Sequence, residues 1–138
     1  MRKLEDVSDK HVQSRLKKDL VIWLATSGHD GRPHAVPVWF LWDGKSFLIY
    51  SVPGQKVRDI EANPNVQLHL NTDPEGGDVV RIVGTATIRA RQAPAYEIPA
   101  YVRKYRELMR GYEWTPKVFS DKYRIPIRVR PHGIPVSR

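Results

Sequence analysis

Residues 35–70 read AVPVWFLWDGKSFLIYSVPGQKVRDIEANPNVQLHL, and this stretch decides the fold. It opens with two apolar, aromatic-rich runs separated by Asp43-Gly44, and an Asp-Gly pair in that setting is a strong hairpin signal. Strands are therefore expected over 33–42 and 46–52. Pro37 has no N–H to give a neighbouring strand, so it marks a sheet edge, a bulge or a place where something other than a strand faces the backbone. The pair Pro53-Gly54 then turns the chain. Val57 and Ile60 lie three apart, which suits a short helix over 53–63 ended by Asn63-Pro64. Beyond it, 66–70 alternates apolar and polar as a half-buried strand.

Working outward, 8–20 places Val12, Leu16 and Leu20 four apart among lysines and Arg15, the pattern of a short amphipathic helix, with Ser8 as its N-cap. Residues 21–26, VIWLAT, read as a first strand that stops at the turn GHDG, so the first three strands form a meander. Downstream, 79–88 (VVRIVGTATI) reads as a strand with Gly84 as a bulge. Helical spacing returns over 95–111, with Tyr101, Tyr105 and Leu108 on one face, Arg103, Arg106 and Arg110 on another, and Gly111 as the stop. The stretch 112–122 has no clear rhythm. Finally, 123–130 (YRIPIRVR) alternates apolar and basic residues as a strand near a sheet edge, where Pro126 is tolerated.

At 138 residues, 41% hydrophobic and 28% charged, the chain has the size and composition of one globular domain over 1–138. No apolar run is long enough for a membrane helix, the first residues lack a secretory apolar segment, and there is no cysteine. A cytoplasmic protein is the expectation. The formal charge of +8 concentrates anions near the surface without naming them.

The local feature richest in chemistry is the strand end Tyr50-Ser51, a Pro-Gly turn, and Gln55-Lys56 opening a helix. Free amides at a helix start, a lysine and a side-chain amide together favour an anion such as phosphate. A solvated helical turn has the same composition, and the residues alone leave both readings open. Trp39, Phe40 and Trp42, with Trp23 and Tyr50, could flank a planar cofactor or simply fill a core. Arg81, Arg89 and Arg91 share one face of a regular strand and could meet an anionic tail or only water. His11, His29, His34, His69 and His132 show no metal-type spacing. With no nucleophile elbow, P-loop or dinucleotide fingerprint, any reactive group would be borrowed from a cofactor.

In order, these segments and the later GGDVVRIVGTATI resemble the pyridoxamine 5'-phosphate oxidase-like superfamily, and within it the branch of small F420-dependent or flavin/deazaflavin oxidoreductases. The likeness covers roughly 20–90 and, more loosely, the strand around Ile125. What it implies is a mainly β fold: a six-stranded antiparallel split β-barrel with a few short helices, paired as a homodimer with cofactor sites at the interface. It implies that Val36, Pro37, Val38 and Trp39 line the ring system and that Ser51 and Lys56 bind phosphate, with Tyr50 and Gln55 counted among the cofactor-binding residues. Gln55 stands where many relatives have arginine, which favours the deazaflavin F420 over FMN. Arg58 and Arg81 are the implied contacts to the anionic tail. The likeness does not include the long C-terminal extension that the true pyridoxamine phosphate oxidases use for substrate, so that particular reaction is not expected.

The expected activity is transfer of a hydride between the reduced cofactor and a small unsaturated organic acceptor, with no metal and no membrane. No catalytic side chain is assigned; Tyr50 and His34 are the nearest candidates for steadying developing charge. The alternatives are a flavin, deazaflavin or haem binder without turnover and, further off, a basic nucleic-acid module. Nucleic-acid binders expose aromatics among Lys and Arg, whereas here the aromatics sit in apolar runs.

Overall fold

A computed structural model describes residues 9–132. It contains strands β1 (Ile22–Ser27), β2 (Pro33–Val38), β3 (Leu41–Trp42), β4 (Phe47–Ser51), β5 (Asn65–Leu70), β6 (Arg81–Ile88) and β7 (Ile125–Pro131). The helices are α1 (Lys10–Lys18), α2 (Gln55–Ala62), α3 (Pro99–Gly111) and α4 (Pro116–Lys122), with a 3-10 turn at Ala95–Glu97. The strands make one antiparallel sheet in the order β2-β1-β5-β6-β7-β4-β3.

That order forces curvature. Strands β2 and β3 follow each other in sequence with only Trp39 and Phe40 between them, yet they occupy opposite edges. In a flat sheet those edges would stand about 29 Å apart. The link from Val38 to Leu41 can reach only about 11 Å. The sheet therefore curls until its edges meet at residues 39–40.

Inside the curl, alternate strand residues pack together: Ile22 and Leu24 of β1, Leu68 and Leu70 of β5, Ile82 of β6, and Ile127 and Val129 of β7, all 2% exposed or less. Val12 and Leu16 of α1 join the same core. A second apolar cluster forms where Tyr101, Tyr105 and Met109 of α3 and Phe119 of α4 meet Leu48 and Tyr50 of β4.

Several expectations change. The second strand is two, so the sheet has seven strands, and the Asp43-Gly44 hairpin joins β3 to β4. The break has a clear cause: the Phe40 N–H donates to the Tyr105 hydroxyl at 2.8 Å, and the Phe40 carbonyl accepts from Lys104 Nζ at 2.8 Å. Helix α3 thus takes the backbone groups that a strand partner would have used. The expected meander gives way to two separate hairpins.

Strand β7 is interior, not near an edge, because it pairs with both β6 and β4. Pro126 is tolerated there because it lies one step past the last β6 partner, Ile127, and offers its carbonyl to the Arg89 N–H at 2.9 Å. Gly84 is not a bulge; its register with Val66 and Pro131 is regular. It is glycine because a Cβ would stand 2.6 Å from the Arg130 carbonyl oxygen.

Ser8 lies outside the described residues; the first helix is capped by Asp9, whose carboxylate accepts from the N–H groups of His11 and Val12. Helix α3 starts only at Pro99, since the residue before a proline is pushed out of the helical region, leaving Ala95–Glu97 as a 3-10 turn. The stretch without rhythm contains α4, capped by Thr115 with proline at its first position.

Candidate functional site

From the joint at residues 39–42 strands β2 and β4 part. Strand β2 pairs with β1 and β4 pairs with β7, and among the described residues no strand fills the space between them. A crevice of about 310 Å³ lies there. Val36, Pro37, Val38 and Trp39 make one wall, Tyr50, Ser51 and Val52 another, and Lys56 stands at the start of α2. Tyr112, Trp114, Phe119 and Tyr123, from the end of α3 through α4, close the remaining side.

Each wall is held from behind. The Trp39 ring stacks on Tyr105 at 4.5 Å with an interplanar angle of 2°, and on Phe119 at 5.3 Å and 12°. A ring clamped between two others presents a fixed edge to the crevice. The Tyr50 hydroxyl donates to the Ala93 carbonyl at 2.5 Å, and burial pushes its pKa up to about 12, so it stays a neutral phenol over the working pH range. Buried Ser51 donates its hydroxyl proton to the Val52 carbonyl at 2.6 Å.

Lys56 is the exception to this self-sufficiency. Its ammonium has no hydrogen-bond or ion-pair partner among the described residues, and desolvation by burial lowers its pKa from the usual 10.5. A half-buried cation without a partner is electrostatically unsatisfied until an anion arrives. The crevice therefore suits a flat, largely apolar group with a negative charge at one end.

Seven of the residues singled out from the sequence are gathered here: Val36, Pro37, Val38, Trp39, Tyr50, Ser51 and Lys56. Three are not. Gln55 is exposed and gives its side-chain amide to Asp59 at 2.7 Å. Arg58 is exposed and donates to Gln55 Oε1 at 3.1 Å. Arg81 lies across from His69 in the β5–β6 register and donates to Gln67 Oε1 at 3.4 Å, on the face turned away from the core.

The aromatic wall from Tyr112 to Tyr123 was missed, because its residues follow no period; the only available signal was four rings within twelve residues. Among the described residues no group of three or more His, Cys, Asp or Glu is placed to hold a metal, and no helix is long and apolar enough to cross a membrane.

The sequence profile of pyridoxamine 5'-phosphate oxidase matches residues 8–133. No curated protein matches the chain. Among solved structures, an F420 reductase is 27% identical, with 88% of this chain and 93% of that one covered and a TM-score of 0.62. An FAD-binding protein from Mesorhizobium loti is 18% identical, with 90% and 87% covered and a TM-score of 0.64. HutZ, the haem storage protein of Vibrio cholerae, is 15% identical, with 96% and 92% covered and a TM-score of 0.63. The last two likenesses speak to the fold alone. The profile runs through every described residue, and the split between strands β2 and β4 stands independently behind it: the chain belongs to the pyridoxamine 5'-phosphate oxidase family.

Proposed function

We propose that the crevice binds a phosphorylated planar tricycle, F420 in preference to FMN, and that the protein is an oxidoreductase passing a hydride between the reduced cofactor and a small unsaturated organic acceptor. The observation that carries this reading is the unpartnered ammonium of Lys56 at the end of a slot otherwise walled by apolar and aromatic groups. A bound deazaflavin or flavin would supply the two-electron chemistry.

The chain's own residues bind and orient. Val36 and Val38 offer an apolar surface and the clamped Trp39 an edge to a ring system, and Lys56 offers charge to its phosphate. Ser51 can add a hydrogen bond once its hydroxyl turns from Val52. Gln55 brings no charge, so within the lining one cation faces the phosphate, which matches a singly charged diester better than a dianionic monoester. Tyr50 serves as a wall, because its proton is committed to Ala93.

A homodimer belongs to the same reading. Pro37, Trp23, His69 and Arg81 form one row across β2, β1, β5 and β6, on the face opposite the core, where a second copy can pack and close the open side of the crevice. Sedimentation equilibrium showing a monomer at all concentrations would remove the dimer. The likeness to a haem storage protein favours one rival, a binder without turnover, which a haem absorption band in the purified protein would reveal.

The direct test is to titrate the purified protein into F420 and into FMN and follow cofactor fluorescence. Saturable binding of at least one is expected, followed by oxidation of the reduced cofactor when an unsaturated acceptor is added. Binding of neither would refute the cofactor reading.

A further inference from the structure

Beside the crevice lies a carboxylate that its lining does not include. Asp59 of α2 is 1% exposed and accepts three hydrogen bonds: from the Thr26 hydroxyl at 2.7 Å, from the Gln55 side-chain amide at 2.7 Å, and from His34 Nδ1 at 2.8 Å. Gly28 makes room for it, since a Cβ there would stand 2.7 Å from Asp59 Oδ1. Burial pushes the Asp59 pKa up, but the bonds from Gln55, Thr26 and His34 outweigh it and hold the carboxyl below its usual 3.8. An ionised carboxylate only accepts, so His34 Nδ1 carries the proton. That leaves Nε2 without a partner among the described residues, on a side chain 39% exposed.

Two elements carry this pair to the crevice. On β2, alternate residues share a face, so His34 stands on the same side as the crevice residues Val36 and Val38, about 7 Å along the strand from Val36. On α2, Lys56 and Asp59 are three apart, neighbours on one side of the helix. The dyad and the free ammonium therefore flank the same end of the slot.

We infer that His34 is a second, protonatable contact for the anionic part of the crevice ligand: as imidazolium it gives its Nε2–H to the phosphate that Lys56 attracts, while Asp59 orients the ring and stabilises its charge. The inference rests on the proposed function. Asp59 is the charged group in contact with His34; the neighbouring part of α2 also carries Lys56 and Arg58, the β1–β2 turn carries His29, Asp30 and Arg32, and Thr26, opposite it on β1, is neutral. A phosphate bound beside Nε2 favours the imidazolium.

The test is the affinity for FMN and for F420 at pH 5.5 and pH 8.5, in the wild type and in His34→Gln, with the variant cancelling any titration of the ligand itself. A charge-assisted hydrogen bond corresponds to about a tenfold effect, so the wild type should gain about tenfold more affinity on acidification than the variant. Equal pH dependence in two proteins that both bind would sink the role of His34 and leave the cofactor reading standing. Failure of the wild type to bind either cofactor at any pH would sink both. Should His34→Gln fold poorly, imidazole resonances of the wild type decide: His34 should titrate at higher pH in saturating FMN, and an unchanged titration overturns the inference.

Discussion

A lysine ammonium and a glycine hydrogen show how much single residues decide here. Lys56→Ala removes the one lysine or arginine among the described residues that line the crevice, so cofactor affinity should fall about tenfold or more by fluorescence titration, the scale of a lost charge-assisted contact. Its thermal midpoint should not fall, because the ammonium makes no hydrogen bond or ion pair among the described residues and is stripped of water for nothing in return. At Gly84 the effect runs the other way. An added Cβ would lie 2.6 Å from the Arg130 carbonyl and 3.0 Å from Val129 Cγ1, with backbone on one side that cannot rotate away. Gly84→Ala should therefore cost about 1–3 kcal/mol in urea unfolding, the range for overpacking a tight core. The sequence marked Gly84 as special and gave it the wrong reason. A glycine inside a strand looks the same whether it bulges or lets a neighbouring backbone approach.

Between elements, the decisive contact is the one that breaks the second strand. The Tyr105 hydroxyl accepts from the Phe40 N–H at 2.8 Å and lies 2.8 Å from the Leu20 carbonyl, so α3 ties together the chain before β1 and the joint between β2 and β3. Tyr105→Phe keeps the ring that stacks on Trp39 and deletes only the oxygen. It leaves a buried N–H unpaired, which costs about 1–3 kcal/mol. Denaturant unfolding should register that loss, while cofactor affinity of the folded protein changes little. A larger effect on affinity than on stability would mean that the joint shapes the crevice directly. Element positions were largely legible: β1, β4, β5 and α2 fall within a residue or two of the spans read from periodicity. Helix α4 was not, because its seven residues are too few to establish a 3.6-residue rhythm.

For the whole molecule, buried ionisable groups give stability a characteristic pH course. Lys104 is wrapped by Phe40 and Tyr105, with its Nζ 3.7 Å from the centre of the Phe40 ring, and burial lowers its pKa from 10.5 to about 8. Between those values the unfolded chain binds more protons than the folded one, so stability rises with pH from about 8 to 10.5. The tyrosines act oppositely: Tyr50 is raised from 10.0 to about 12, and Tyr101 and Tyr105 are also raised by burial. Above pH 10 the unfolded chain loses phenolic protons that the folded one keeps, and stability falls. Thermal midpoints should therefore climb between pH 7.5 and 9.5 and drop beyond 10, and Lys104→Met should flatten the climb while leaving the drop. By itself the sequence determined what depends on near neighbours: the strand alternation, the Asp43-Gly44 turn, the Pro53-Gly54 stop with Lys56 just after it, and so one wall and one cation of the crevice. Only the tertiary structure decided the sheet order, the interior place of β7, the position of Arg81 on the outer face, the aromatic wall from Tyr112 to Tyr123 and the burial of Asp59 against His34. The physical reason is range: turns and periodicity are encoded within a few residues, whereas curling a sheet so that its first and last strands meet depends on contacts between segments as much as 85 residues apart, and alternative pairings of similar strands differ too little in local preference to be told apart.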